Sequence, residues 1–297
     1  MLHDGGTTAL APVETIATWP KGSFAENLAI DDDGMIYVTL HTDRTVVRVD
    51  PVTRATLPFA RYETPVAGVA FGPDGTLHVS GGEPGKPGGV IWATSRDGSV
   101  RRLAGLPDAL FLNGMTLHPD GRLLVAESIG GMIYAVDPAS GSVAAWMQDE
   151  RLRPPASDGT PGANGIKLHG GYAYVSVTAR DQVMRAKLDG GAPGALEVAA
   201  ERLRADDFAI DADGTLFIAT HPAYSLLRLA PDGTRTTLAA AAQGMVGSTA
   251  AAFGRTDADR RSVYVTTTGG TMTLPEDRLE VAKLVRVDLD GAGPAAS

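Results

Sequence analysis

Four carboxylate or carboxamide side chains recur at one position of a repeated sequence pattern. Six short apolar runs follow a position that we call the slot, and the slot residues are Glu26, Ala67, Asn113, Asn164, Asp206 and Thr249. Two carboxylates and two amide oxygens form a ligand set that suits a hard cation such as calcium, which accepts roughly six to eight oxygens. If the repeats close into a ring, these side chains converge on one ion and leave positions for water and substrate. The sequence therefore predicts one calcium ion per chain.

Each slot residue also has a simpler interpretation when taken alone. Asn-Gly dipeptides such as those beginning at Asn113 and Asn164 favour hairpin turns, and Glu26 or Asp206 would pass as surface carboxylates. The shared position favours the metal site, because two unpaired carboxylates near an axis are costly to desolvate without a cation. Zinc is disfavoured because no slot holds histidine and the chain has no cysteine. Magnesium, manganese and zinc nevertheless stay open as the ion used in the cell.

The spacing of the slots predicts the fold. Successive slots lie roughly 40 to 50 residues apart, a period typical of propeller blades. In the first repeat we predict strands at 28–30, 36–39, 46–50 and 55–59, with an Asp-Gly turn at 32–34 that recurs in later repeats. The second strand of each repeat carries a mostly large residue at one phase, which we expect to pack against the next blade: Tyr37, His78, Leu124, Tyr174, Phe217 and Tyr264.

The last repeat lacks a fourth strand, and the alternating segment 13–19 has no repeat of its own. We therefore predict that this N-terminal strand completes the last blade and protects an open sheet edge. The expected fold is all-β, a six-bladed β-propeller that forms a single domain over residues 1–297.

Composition excludes several classes of function. A net charge of -9 argues against nucleic acid as a partner. The chain start has no secretory signal pattern, and no apolar stretch reaches the roughly 18 residues of a membrane helix. We expect a soluble, cytoplasmic protein with a small-molecule substrate and no membrane partner, and we make no prediction of its oligomeric state.

The substrate mouth is expected on the slot face, where the long segments 81–89, 148–163 and 268–282 fall. Four candidate residues lie on this face where the second strand of a blade ends: His41, Glu127, Asp181 and His221. We rank His221 first as proton shuttle, with a histidine that only bonds a loop as the alternative. Glu127 is retained as a substrate contact. Apolar candidates for the pocket are Phe111, Met115, Phe208, Met245 and Met272, although for Met115 and Phe208 core packing is the favoured interpretation.

The slot pattern resembles the family of senescence marker protein (regucalcin), gluconolactonases and squid-type phosphotriesterase, from Glu26 to the last blade. That resemblance implies a six-bladed propeller with one catalytic divalent cation held by Glu26, Asn113, Asn164 and Asp206. It also implies a hydrolase in which Asp206 acts as general base or nucleophile toward a lactone or ester carbonyl. Activation of water by the metal is an equally good account, because a calcium-bound carboxylate is a poor base.

The chain departs from the sugar-lactonase pattern at two places. Phe111 stands where regucalcin-like members have an arginine that grips polar sugars, and Gly114 stands where several members have aspartate. Both changes favour a substrate less polar than a sugar lactone. An isomerase, cyclase or condensing enzyme on the same scaffold, or a binding propeller without catalysis, stays open as an alternative.

Overall fold

Twenty-four strands make up the described part of the chain, residues 10–156 and 159–289 of a computed structural model. They form six four-stranded antiparallel sheets, which we number as blades in chain order. The strands of blades 1 to 3 are β2 (Ala25–Ile30), β3 (Ile36–Leu40), β4 (Thr45–Val49), β5 (Thr56–Arg61), β6 (Val66–Phe71), β7 (Leu77–Gly81), β8 (Gly89–Thr94), β9 (Val100–Leu106), β10 (Leu112–Leu117), β11 (Leu123–Glu127), β12 (Met132–Val136) and β13 (Val143–Gln148). Those of blades 4 to 6 are β14 (Ala163–His169), β15 (Tyr172–Val177), β16 (Gln182–Asp189), β17 (Ala192–Glu201), β18 (Phe208–Ile210), β19 (Leu216–Thr220), β20 (Ser225–Leu229), β21 (Arg235–Ala239), β22 (Ser248–Phe253), β23 (Ser262–Thr267) and β24 (Val281–Asp288), with β1 (Val13–Lys21).

The N-terminal strand closes the ring, as predicted. Blade 6 has the strand order β1-β24-β23-β22, and β1 pairs antiparallel with β24 from Val13 opposite Val287 to Lys21 opposite Val281. Ile16 and Trp19 on this strand are buried. The first and last thirds of the chain are therefore held in one sheet, which leaves no open edge on β24.

The hydrophobic core is divided among the interfaces between blades. Six clusters of buried residues are present, and each joins two neighbouring blades around the ring, including blade 6 with blade 1. The predicted column of second-strand side chains lies in these interfaces: Tyr37 packs edge-on against Phe71 of blade 2, and Phe217 against Phe253 of blade 6. The innermost strands contact one another in sequence and β22 contacts β2, so the ring is complete.

Five short 3-10 helices accompany the strands, over Glu150–Leu152, Thr178–Arg180, His221–Ala223, Ala241–Gln243 and Glu276–Arg278. The first lies in the long segment 148–163, of which residues 157 and 158 are outside the described part. At the opposite face, Gly34 and Gly214 adopt φ of 83° and 85°, as the predicted Asp-Gly turns require. No helix in the described ranges has the length and apolar character that crossing a bilayer demands.

A bulge interrupts five of the six innermost strands at the slot. In blade 1, Ala25 still pairs with Leu40, but the register shifts before Leu28 pairs with Val38. The same shift occurs in β6, β10, β14 and β22. Bulges turn a strand and aim a side chain. The slot residue thus lies inside the strand in these blades and not before it, because one pair survives ahead of the bulge.

Candidate metal centre

The four predicted ligands lie on, or just before, the innermost strands of four blades. Glu26, Asn113 and Asn164 lie in the bulges of β2, β10 and β14, and Asp206 comes two residues before β18. All four are buried, with exposed fractions between 1% and 7%. The two Asn-Gly dipeptides are therefore not hairpin turns.

Close packing explains why a glycine follows each of the two slot asparagines. A Cβ on Gly114 would lie 2.6 Å from the backbone oxygen of Asn164, and one on Gly165 would lie 2.1 Å from a carboxylate oxygen of Asp207. Neighbouring inner strands approach too closely for any side chain at these positions. Gly114 thus serves the close packing of neighbouring inner strands.

Hydroxyl groups hold both slot amides by their nitrogen. Asn113 Nδ2 donates to Ser128 Oγ at 3.3 Å, and Asn164 Nδ2 donates to Thr178 Oγ1 at 3.1 Å. Asn164 Nδ2 also lies 2.7 Å from Asp206 Oδ1, which joins two of the four slots directly. Asn113 Oδ1 is buried and has no hydrogen-bond partner in the described residues. A buried amide oxygen without a partner is costly, and a cation ligand would satisfy it.

The two slot carboxylates share an electrostatic problem. Burial raises the pKa of Glu26 well above its usual value, and the negative charges of Asp206 and Asp207 raise it further. Burial likewise raises the pKa of Asp206, although the hydrogen bond from His221 opposes this shift. Like charges close together in a desolvated channel favour a compensating cation.

The donor set therefore fits a hard divalent ion. No group of three or more histidine, cysteine, aspartate or glutamate side chains with a metal-binding arrangement occurs within residues 10–156 and 159–289. The candidate centre depends instead on two carboxylates completed by two amide oxygens, which is oxygen chemistry that suits calcium or magnesium better than zinc.

His221 lies beside the slot carboxylate. Its Nδ1 is 3.1 Å from Asp206 Oδ2, and its Nε2 is buried without a partner in the described structure. With Nδ1 protonated toward the carboxylate, Nε2 carries the free lone pair. His221 thus lies beside a slot residue and bonds the side chain of Asp206, and its role as proton shuttle stays a prediction.

An aromatic group that includes one residue missed from the sequence lies at the slot face. The ring of Phe24 is 5.8 Å from His221 and 5.7 Å from His41, and His41 is 6.2 Å from Phe111. His41 is held by the backbone oxygen of Val66 at 2.8 Å, and burial lowers its pKa. Phe24 precedes Glu26 by two residues, and that spacing was the only signal for it in the sequence.

Glu127 has a different role from the substrate contact predicted for it. Its Oε1 accepts hydrogen bonds from the backbone N–H groups of Leu110, Phe111 and Ile129, and Oε2 accepts one from Gly130. The side chain is 2% exposed. The carboxylate is therefore occupied in fixing the loop that carries Phe111.

The apolar candidates are scattered. Phe208 and Met245 are fully buried in interface clusters, which leaves them no surface for a substrate. Met115 is 4% exposed and packs between blades 2 and 3, where it also borders a cavity toward the turn face. Met272 is 85% exposed. Of the predicted lining set, only Phe111 joins the aromatic group at the slot face.

A set of hydroxyls on the second strands is a further feature that the sequence did not reveal. Each accepts the backbone N–H of the residue after the slot in its own blade and donates to the slot carbonyl of the next blade. The groups are Thr39 between blades 1 and 2, Ser80 between blades 2 and 3, and Ser176 between blades 4 and 5. They fix the spacing of the slots around the channel.

Comparison with known proteins supports the fold and the family. A family model described as the SMP-30/gluconolactonase/LRE-like region matches residues 88–269, which include Asn113, Asn164, Asp206 and His221 but not Glu26. No curated protein sequence matches the chain. A solved luciferin-regenerating enzyme has a TM-score of 0.73 and 16% identity, over 97% of this chain and 98% of that one.

Two further structures are similar at the level of fold. The calcium-binding protein regucalcin from Agrobacterium tumefaciens str. C58 is 19% identical, with a TM-score of 0.68 over 98% of this chain and 99% of that one. The gluconolactonase XC5397 from Xanthomonas campestris is 12% identical, with a TM-score of 0.70 over 94% of this chain and 90% of that one.

Proposed function

This chain belongs to the SMP-30/gluconolactonase/LRE-like family, and from that membership we propose that it is a divalent-cation-dependent hydrolase of a lactone or related ester. The observation that carries the proposal is the burial of all four slot residues, with Asn164 bonded to Asp206 and with Asn113 Oδ1 lacking a hydrogen-bond partner among the described residues. Calcium is the ion that this donor set fits best.

Four protein side chains would hold the ion, and the remaining positions would be open to water and substrate. When bound, a divalent cation supplies a Lewis acid for the carbonyl and lowers the pKa of a coordinated water. Asp206 is engaged with both Asn164 and His221, so it acts in positioning. His221 Nε2 is the group that accepts and returns a proton, because its Nδ1 is oriented by Asp206.

The mouth favours a substrate with apolar parts. Phe24, His41, Phe111 and His221 bring aromatic faces together beside the slots, and they exclude water from a bound ester. Phe111 occupies the place at which the family resemblance implies a sugar-binding arginine. We therefore propose a lactone or ester less polar than a sugar lactone.

The test combines metal analysis with hydrolysis assays on lactones of graded polarity, with and without a chelator. We expect one divalent cation per chain, activity only with the ion present, and a preference for the less polar lactones. His221→Asn should keep cation affinity and reduce kcat by roughly 100-fold or more. Glu26→Gln combined with Asp206→Asn should abolish binding of the ion in a folded protein.

The same experiment separates the alternatives. Full activity after complete removal of metal would contradict the proposal. A bound cation without turnover of any lactone or ester would favour a different reaction or a binding protein.

A further inference from the structure

An ion pair with a buried carboxylate and a partly exposed ammonium group lies next to the slots, on the side of the turn face. Lys167 Nζ is 2.6 Å and 2.7 Å from the two carboxylate oxygens of Asp207. Asp207 also accepts from Asn27 Nδ2 at 3.1 Å and from the backbone N–H of Phe208 at 2.7 Å. The side chain of Asp207 is 3% exposed and that of Lys167 is 26% exposed. Beyond Asn27 and Lys167 the channel widens into a cavity of about 350 Å³.

This pair adjoins two of the four slots in the chain. Asp207 follows Asp206, and its partner Asn27 follows Glu26. Asp207 lies one residue before β18 of blade 5 and bonds Asn27 in β2 of blade 1, the strand that carries Glu26. The channel thus holds three carboxylates, of which one is matched by an ammonium group.

We propose that Lys167 and Asp207 set the charge of the candidate metal centre, and thereby its affinity and its preference between divalent and trivalent ions. Lys167 cancels the third carboxylate, so that an ion at the slots meets a net charge of two negative groups. Cation affinity in oxygen sites is tuned by the number of charged groups around the ion, and Coulomb interactions are strong where water is excluded. This inference rests on the proposed cation site, and it assigns roles to two residues that do not themselves ligate.

A role through charge and a purely structural role predict different calcium affinities for the single variants. Lys167→Met removes the ammonium group and leaves a third negative charge beside the ion, so it should bind calcium at least tenfold more tightly. Asp207→Asn keeps the ammonium group and removes the carboxylate, so it should bind calcium at least tenfold more weakly. The double variant removes both charges and should return to within about threefold of the wild type. A purely structural role would weaken binding in both single variants.

The experiment is calorimetric titration of the metal-free protein with Ca²⁺, and luminescence titration with Tb³⁺, for the wild type and the three variants. We expect Lys167→Met to increase the affinity for Tb³⁺ by a larger factor than the affinity for Ca²⁺, because the unpaired carboxylate acts on a larger ionic charge. Lys187→Met is the matched control: it makes the same change of net charge on an exposed position of the same blade and should alter neither affinity.

The outcomes separate this inference from the proposed function. If the wild type binds neither ion, the proposed cation site itself is wrong. If the wild type binds calcium and the two single variants both weaken binding, or both leave it unchanged, the charge role of Lys167 is overturned. Should Lys167→Met fail to fold with an unpaired buried carboxylate, Asp207→Asn and the double variant decide: weakening in the first and recovery in the second support the inference, and any other result contradicts it.

Discussion

Phe111 is the single side chain most closely tied to substrate choice. It lies at the slot face against His41, and its backbone N–H is fixed by Glu127. We expect Phe111→Arg to lower kcat/KM for an apolar lactone about tenfold, because a charged group replaces an apolar contact, a difference of about 1.4 kcal/mol. Gluconolactone hydrolysis should rise in the same variant. Phe111→Leu is the control that keeps the apolar preference, and equal profiles for the two variants would contradict this role.

The carboxylate of Glu127 stabilises backbone N–H groups of the loops around it. Four N–H groups converge on it, so Glu127→Gln leaves at least one buried N–H facing an amide NH₂ group. We expect the free energy of unfolding to fall by about 1–3 kcal/mol, measured by urea denaturation. Glu197→Gln, which alters an exposed pair with Arg185, should change it by less than about 0.5 kcal/mol. If Glu127→Gln keeps the stability of the wild type and raises KM, the result would favour the substrate contact predicted from the sequence.

At the level of single residues, the sequence predicted where a residue lies in its blade better than it predicted what surrounds the side chain. The slots were found because four carboxylate or carboxamide side chains share one phase of the repeat. Met245 was misjudged, and Phe208 packs in the core as its favoured interpretation had it. Both faces of a propeller blade are buried, so an apolar residue beside a slot faces a neighbouring blade as readily as the mouth. The Lys167–Asp207 pair joins residues 40 apart, and no local pattern connects them.

At the level of elements, the strands were predictable and the bulges were not. Asp-Gly turns in four of the blades and a short apolar run in all six predicted the strands, and the first predicted strand at 28–30 is the end of β2. The bulge ahead of it depends on hydroxyls such as Thr39 and Ser80, whose bonds cross to the next blade. A single sequence contains no record of these contacts.

The N-terminal strand has an effect that can be tested as an element. Deleting residues 1–21 removes buried Ile16 and Trp19 and leaves the edge of β24 unpaired, so we expect a large fall in Tm and aggregation. A synthetic peptide of residues 10–21 should raise Tm in a concentration-dependent way, since it binds only the folded ring. The same peptide with Ile16→Asp and Trp19→Asp should have no effect. A truncated protein with wild-type Tm would show that β1 is not needed for closure.

The whole ring owes its stability to six interfaces between blades, and one of them contains a buried histidine. His78 occupies the second-strand column of blade 2 at 1% exposure, and its Nδ1 has no partner in the described residues. Burial lowers the pKa of His78 from 6.5 to about 4. In the corresponding position blade 3 has Leu124, so leucine is compatible with the packing of this column.

The low pKa of His78 makes the stability of the whole molecule depend on pH with a definite sign. The unfolded chain takes up a proton near pH 6.5 while the folded protein does not until about pH 4, so stability is full above 6.5 and is lost as pH falls between these values. From pH 7 to pH 5 this one group should remove about 2 kcal/mol from the free energy of unfolding. Over the same interval the free energy of unfolding of His78→Leu should fall by about 2 kcal/mol less than that of the wild type. Between pH 7 and pH 8 the free energies of unfolding of the two proteins should change in parallel. Urea denaturation at fixed calcium concentration measures both profiles, and parallel profiles down to pH 5 would show that the buried histidine is not the group that weakens the ring in acid.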